Sequence, residues 1–247
     1  MIIYKNTFEN IKTFKTNFPI EDQFYANENI AIVADGITRD PIGVFNLSQF
    51  SFEEMIKRYP RPSGAEMAAK TIVETFENPL ESLKETLIMA NAKVKELNDR
   101  YIKKCDYLEN DYYGAVASCA WIKGRLLEYA YICDSGIIIY DRNGTVKFQT
   151  DDDKILNSDP YIAKIGVPWH MPEARVIIRR DFRNNPNNIK DGKCISYGAI
   201  TGEETAIPFI KNGGIVISDT DIIVLYTDGF SNYLRLEEFI KLILNFN

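Results

Sequence analysis

Histidine is almost missing from this sequence: His170 is the only one. A His-rich zinc centre is therefore excluded, and a Ser-His-Asp arrangement would rest on that one residue, beside Pro168 and Trp169 in a predicted loop. Cysteine is scarce and scattered. Cys105, Cys119, Cys133 and Cys194 form no Cys-x-x-Cys pair, so neither a zinc site nor a dense disulfide framework is indicated. Cys119 and Cys133 lie within apolar runs and read as small buried residues. No apolar run approaches the roughly 20 residues needed to span a bilayer, so no membrane partner is expected. The start, Met1-Ile2-Ile3-Tyr4-Lys5, lacks the charged segment and apolar stretch of a secretory signal, which makes a cytoplasmic location the expectation. An excess of positive charge is also lacking. A net charge of −6 argues against nucleic acid as the main partner.

What is present suits one soluble domain. The 247 residues are 45% hydrophobic and 26% charged, with no internal repeat or long linker, and residues 1–247 read as a single unit with a sizeable core. Carboxylates are plentiful, so any bound metal should be a hard, oxygen-preferring ion.

Along the chain, Ile30-Ala31-Ile32-Val33-Ala34 is an apolar run stopped by Asp35-Gly36, the pattern of a strand buried on both faces. Pro41 to Pro62 reads as loop and short helix. Ser63 caps a predicted helix to about Glu77, with Glu66 at the capping-box position. Leu80, Leu83, Leu87, Ala90, Val94, Leu97 and Tyr101 recur at helical spacing and predict a second, longer helix packed on a sheet. Hairpins are predicted around Lys123-Gly124-Arg125 and Arg142-Asn143-Gly144. Residues 151–193 show one predicted strand, Ala174 to Ile178, and a polar stretch, Arg183 to Asp191, that reads as a mobile loop. Strands follow at Cys194 to Ile200, Gly214 to Ile217 and Ile222 to Tyr226, and a helix at Leu236 to Leu244. Hairpins without a βαβ rhythm predict a layered α+β domain on antiparallel sheets.

Two buried runs end in Asp-Gly, at Asp35-Gly36 and Asp228-Gly229, and a third ends in Asp134-Ser135-Gly136. Taken singly, Asp-Gly is a common turn dipeptide. Together, strands packed into sheets could bring the three acids to one rim, where their repulsion calls for a divalent cation. Paired hard cations can lower the pKa of a shared water and present hydroxide to phosphorus, with no histidine or nucleophilic side chain required.

At this point the sequence resembles the type 2C metal-dependent protein phosphatases. The likeness is carried by Ile20-Glu21-Asp22-Gln23 with Val33-Ala34-Asp35-Gly36, by Ser63-Gly64-Ala65-Glu66-Met67-Ala68-Ala69, by Gly114 through Asp134-Ser135-Gly136 to Arg142-Asn143-Gly144, and by Thr227-Asp228-Gly229. The resemblance implies an αββα sandwich of two antiparallel sheets flanked by helices, with Mn²⁺ or Mg²⁺ at one end. It implies that Asp35 bridges two ions, Gly36 offers its carbonyl, Glu21 acts through water and Asp228 binds the other ion. Asp134 matches the acid of a third, weaker ion. The implied substrate is a phosphorylated protein, hydrolysed at phosphoserine or phosphothreonine by a metal-bridging water.

Several positions depart from the family pattern. Asn17 stands near the phosphate-binding arginine, with only Lys15 close by, and lysine lacks the two-pronged fork. Ile37 replaces a histidine of eukaryotic members, Gly136 replaces an arginine, and Asn232 stands where a further acid is common. The family's last strand with its metal-binding aspartate has no counterpart before Asn247. Three readings stay open: an active phosphatase, a weakly active or inactive binding and regulatory module, and an unrelated protein with structural carboxylates.

Overall fold

The computed structural model describes residues 20–37, 54, 57, 59–108, 110–166 and 171–245, without the side chain of Pro172. In chain order, β1 (Gln23–Ala26) and β2 (Ile30–Gly36) precede α1 (Gly64–Thr75) and α2 (Leu83–Tyr101). Two hairpins follow, β3 (Ala115–Lys123) with β4 (Leu126–Ile132) and β5 (Gly136–Tyr140) with β6 (Val146–Gln149). A π-helical turn, Lys154–Ser158, leads into α3 (Asp159–Ile162), and α4 (Pro172–Ile177) runs into a second π-turn, Ile178–Phe182. The remaining elements are β7 (Ile189–Lys190), β8 (Lys193–Cys194), a 3₁₀ helix (Glu204–Phe209), β9 (Lys211–Val216), β10 (Ile222–Tyr226), α5 (Asp228–Ser231) and α6 (Glu237–Leu244).

Strand alternation sorts the apolar side chains into layers. The first sheet has the order β1-β2-β3-β4-β9 and the second β10-β5-β6, with antiparallel pairing throughout. On β5, Ile137 and Ile139 face Ala120 and Leu127 of the first sheet, joined by Ile223 and Leu225 of β10. Ile138 and Tyr140 turn the other way and meet Phe239, Ile240 and Ile243 of α6. The far face of the first sheet, through Ile32, Ala34 and Ala117, packs on Ala69 and Ile72 of α1 and Leu87, Ala90 and Val94 of α2. Helices, sheet, sheet and helix therefore stack in the αββα order that the sequence led us to expect.

Local chemistry explains the helix starts. Ser63 accepts a hydrogen bond from the Glu66 amide (3.1 Å) and Ser82 one from the Glu85 amide (3.2 Å), each satisfying an orphan donor of a first turn. The apolar stripe of α2 is buried where predicted, from Leu83 to Val94, but its ends are not: Leu80 precedes the helix and Tyr101 is exposed. Leu87 has no exposed surface whereas Leu80 is 42% exposed. Leu87→Ala is expected to cost about 2–5 kcal/mol in urea unfolding, against under about 0.5 kcal/mol for Leu80→Ala. Equal losses would mean that the stripe is not the core face.

The stretch after β6 departs from the sequence reading. The predicted strand Ala174 to Ile178 is instead α4 and the start of a π-turn. Pro172 at the first helical position opposes a strand, and Arg179 is anchored from the helical side by Asp111 (3.1 Å) and the Tyr107 carbonyl (2.9 Å). The polar stretch from Arg183 is not a loose loop at its start. Arg183 and Asn184 are buried; Arg183 grips Asp111 with both Nη atoms (3.1 and 2.6 Å), and Asn184 exchanges hydrogen bonds with Ala199 (2.7 and 3.0 Å). The predicted strand Cys194 to Ile200 is reduced to the end of β8 and isolated bridges, Arg183 with Tyr197 and Ala115 with Ile200. Most of the predicted loop between Pro41 and Pro62, together with Lys15, Asn17 and His170, lies outside the described residues.

Candidate metal centre

The ladder between β1 and β2 sets up the site. Gln23 pairs with Ala34, so extending the register by one residue puts Asp22 opposite Asp35. At the end of β10, Thr227 donates from its hydroxyl to the Asp22 carboxylate (2.9 Å), tying the second sheet to the first. Asp228, the next residue, opens α5 and is exposed. Asp134 enters from the turn between β4 and β5, just after Cys133, whose φ of +68° is a left-handed conformation rare for this residue type. Cys133 and Cys119 are both buried, as read from the sequence.

The electrostatics converge on Asp35. Burial, followed by the charges of Asp22, Asp228 and Asp134, pushes its pKa up to about 10. Asp22 is also raised, first by burial and with Asp228 adding to it, while its hydrogen bonds to Thr227 and Asp35 oppose the shift. The interaction between the two carboxyl groups adds to the rise at Asp35 and opposes the rise at Asp22. Desolvation first, and facing carboxylates second, disfavour the charge on Asp35, and a divalent cation can offset both. The donor oxygens are of the kind Mn²⁺ and Mg²⁺ take. Gly36 follows Asp35 in a cradle without room for a side chain: a Cβ there would lie 2.9 Å from the Ala65 carbonyl carbon, its oxygen and the Glu21 carbonyl oxygen. Donor type and charge fit such ions. Among the described residues, however, no three Asp, Glu, Cys or His side chains are already gathered as a metal cage.

The sequence-derived residues divide. The charges of Asp134 and Asp228 both act on Asp35, and Gly36 is the next residue along the strand. Glu21 is buried with its carboxylate accepting from the Tyr59 hydroxyl (2.5 Å) and from Ser63, the residue that caps α1. Asp134 also meets a cation of the chain itself, with Lys154 Nζ 3.3 Å from its Oδ2. Sequence reasoning quoted Asp22 but gave it no role. No local pattern marked it, because Asp22 precedes β1 and its place opposite Asp35 follows only from the register of β1 on β2. Two departures from the family pattern also gain a physical reason. At Gly136 a Cβ would lie 2.4 Å from the Tyr226 hydroxyl, so no longer side chain fits, and Ile37 packs on the main core.

No family model matches the sequence, and no curated protein matches it. Solved structures do. The Mycobacterium tuberculosis serine/threonine phosphatase PstP aligns with a TM-score of 0.55 over 90% of this chain and 78% of its own, at 15% identity. The fold is that of the type 2C serine/threonine phosphatases. A second structure of this type 2C fold, the catalytic domain of PstP in complex with two manganese ions, gives a TM-score of 0.52 at 17% identity, covering 90% of this chain and 77% of its own. PppA, a regulatory component of the T6SS in Pseudomonas aeruginosa, gives 0.53 at 12% identity, with 90% and 76% covered. Among the described residues, no helix is long and apolar enough to cross a membrane.

Proposed function

We propose that the chain is a cytoplasmic, metal-dependent protein phosphatase acting on phosphoserine or phosphothreonine. One observation carries this reading: in a type 2C fold, the half-buried Asp35 lies opposite Asp22 at the rim where Thr227 joins the two sheets, and the charges of Asp134 and Asp228 reach it. In this reading Asp35 and Asp228, with the Gly36 carbonyl, would hold the ions, and Asp134 would lie at the margin. Glu21 would act from its place beside Ser63, and the Thr227 hydroxyl orients the Asp22 carboxylate. Mn²⁺ or Mg²⁺, when bound, supplies a water of lowered pKa and neutralises charge on the phosphoryl oxygens. Asp35 and Asp22, facing each other across the ladder, would be the carboxyl groups placed to hold or accept a proton at this centre.

The pairing of Asp134 with Lys154, and the lack of a ready cage among the described residues, favour a second reading of a weakly active or inactive binding module. Hydrolysis of p-nitrophenyl phosphate and of a phosphothreonine peptide with added Mn²⁺ separates the two. The enzyme reading expects turnover that a chelator removes, and an Mn²⁺ affinity at least about tenfold weaker in Asp228→Asn. Mn²⁺ uptake without turnover in the wild type would leave the module reading.

A further inference from the structure

Lys154 opens the π-turn after β6, and its backbone is set by that turn. Asp152 accepts from the Ile155 amide (3.0 Å), and Ser158 donates to the Lys154 carbonyl (3.0 Å). From this fixed base the side chain reaches Asp134, whose carboxylate is only 10% exposed. Asp152 and Asp159 also feel the Lys154 charge, and both feel that of Asp134. Cys133 and Tyr197 complete the groups that act on Lys154. The ammonium, partly open to solvent, lies 3.3 Å from Asp134 Oδ2, an ion-pair distance. A tethered positive charge thus pairs with Asp134 and acts on Asp152 and Asp159, while the charge of Asp134 acts in turn on Asp35.

An ammonium and a divalent ion compete for the same carboxylate oxygens, and each repels the other at contact distance. We propose that Lys154 is the resident cation of Asp134: it keeps a further divalent ion away from this carboxylate and confines metal binding to Asp35 with Asp22 and Asp228. The proposal deepens the metal-centre reading and rests on it only for the ions at Asp35.

Titration calorimetry of Mn²⁺ into the metal-free full chain tests this, using wild type, Lys154→Met, Lys154→Arg and the double variant Lys154→Met/Asp134→Asn. Lys154→Met is expected to take up one Mn²⁺ more than the wild type. Lys154→Arg should keep the wild-type number, and the double variant should lose the added ion. Lys154→Gln replaces Lys154→Met if the latter fails to fold, as judged by its urea midpoint. Equal uptake and equal affinity in wild type and Lys154→Met would overturn the proposal, whatever the number. The outcomes also separate the two readings. Uptake by Lys154→Met alone would refute the metal centre in the native chain while upholding the role of Lys154. Two ions in both proteins would do the reverse.

Discussion

Replacing Asp35 with asparagine will abolish Mn²⁺ uptake at the carboxylate centre and stabilise the metal-free protein at neutral and alkaline pH. The second half follows from linkage. An unfolded aspartate titrates near pH 4, whereas burial and the facing acids raise Asp35 in the folded chain to about 10. Between those values the folded chain carries a proton that the unfolded chain has released. Folding stability is then full only below about pH 4 and falls as pH rises towards about 10. Asparagine has no charge to suppress, so the gap between variant and wild type should widen over this interval. Urea midpoints in the presence of a chelator, at about pH 5 and about pH 9, measure it. Parallel pH dependences would show that Asp35 is not held protonated. With Mn²⁺ present the order reverses, because only the wild type gains stability from the bound ion. If the phosphatase reading is right, turnover in Asp35→Asn falls on the order of a thousandfold.

The second large effect lies in the interior. The Asp111 and Arg183 side chains are each 1% exposed, and Arg179 adds a second guanidinium at 3.1 Å from Asp111. Asp111→Ala leaves two buried or nearly buried cations without their shared anion, and a loss of about 3–5 kcal/mol is expected in urea unfolding. Changing both partners, Asp111→Ala with Arg183→Met, should recover part of that loss, since an apolar pair carries no desolvation penalty. A single variant with a wild-type midpoint would contradict the burial of this pair.

The parts of the fold that were legible share one property: their signal is local. Ile30 to Ala34 and Ile222 to Tyr226 announce themselves as apolar runs with Asp-Gly stops, and Asn143-Gly144 marks a hairpin whose turn is closed by Asp141 accepting from the Asn143 and Thr145 amides (2.8 and 2.9 Å). Asp35 and Asp228 could be read as candidates because they terminate such runs. The stretch after β6 was illegible because distant groups decide it. Arg183 finds Asp111 across a separation of 72 residues, and Asn184 is fixed by the backbone of Ala199. Val176 to Ile178 has strand composition, but Pro172 and the anchoring of Arg179 prevail. Lys154 gave no signal at all, since a π-turn has no hydrophobic period to read. The division of labour between Glu21 and Asp22 became visible only with the register of β1 on β2.

The way Thr227 reaches Asp22 has one more consequence. Asp22 and Asp35 belong to one ladder and Asp228 continues another, so the rim where they meet works as a seam between two separately built plates. An ion seated there, as the proposed function has it, would act as a rivet and feel any slippage of one plate over the other. Its affinity is thus a gauge of how tightly Ile137, Ile139 and Leu225 fill the space between the plates, far from any carboxylate.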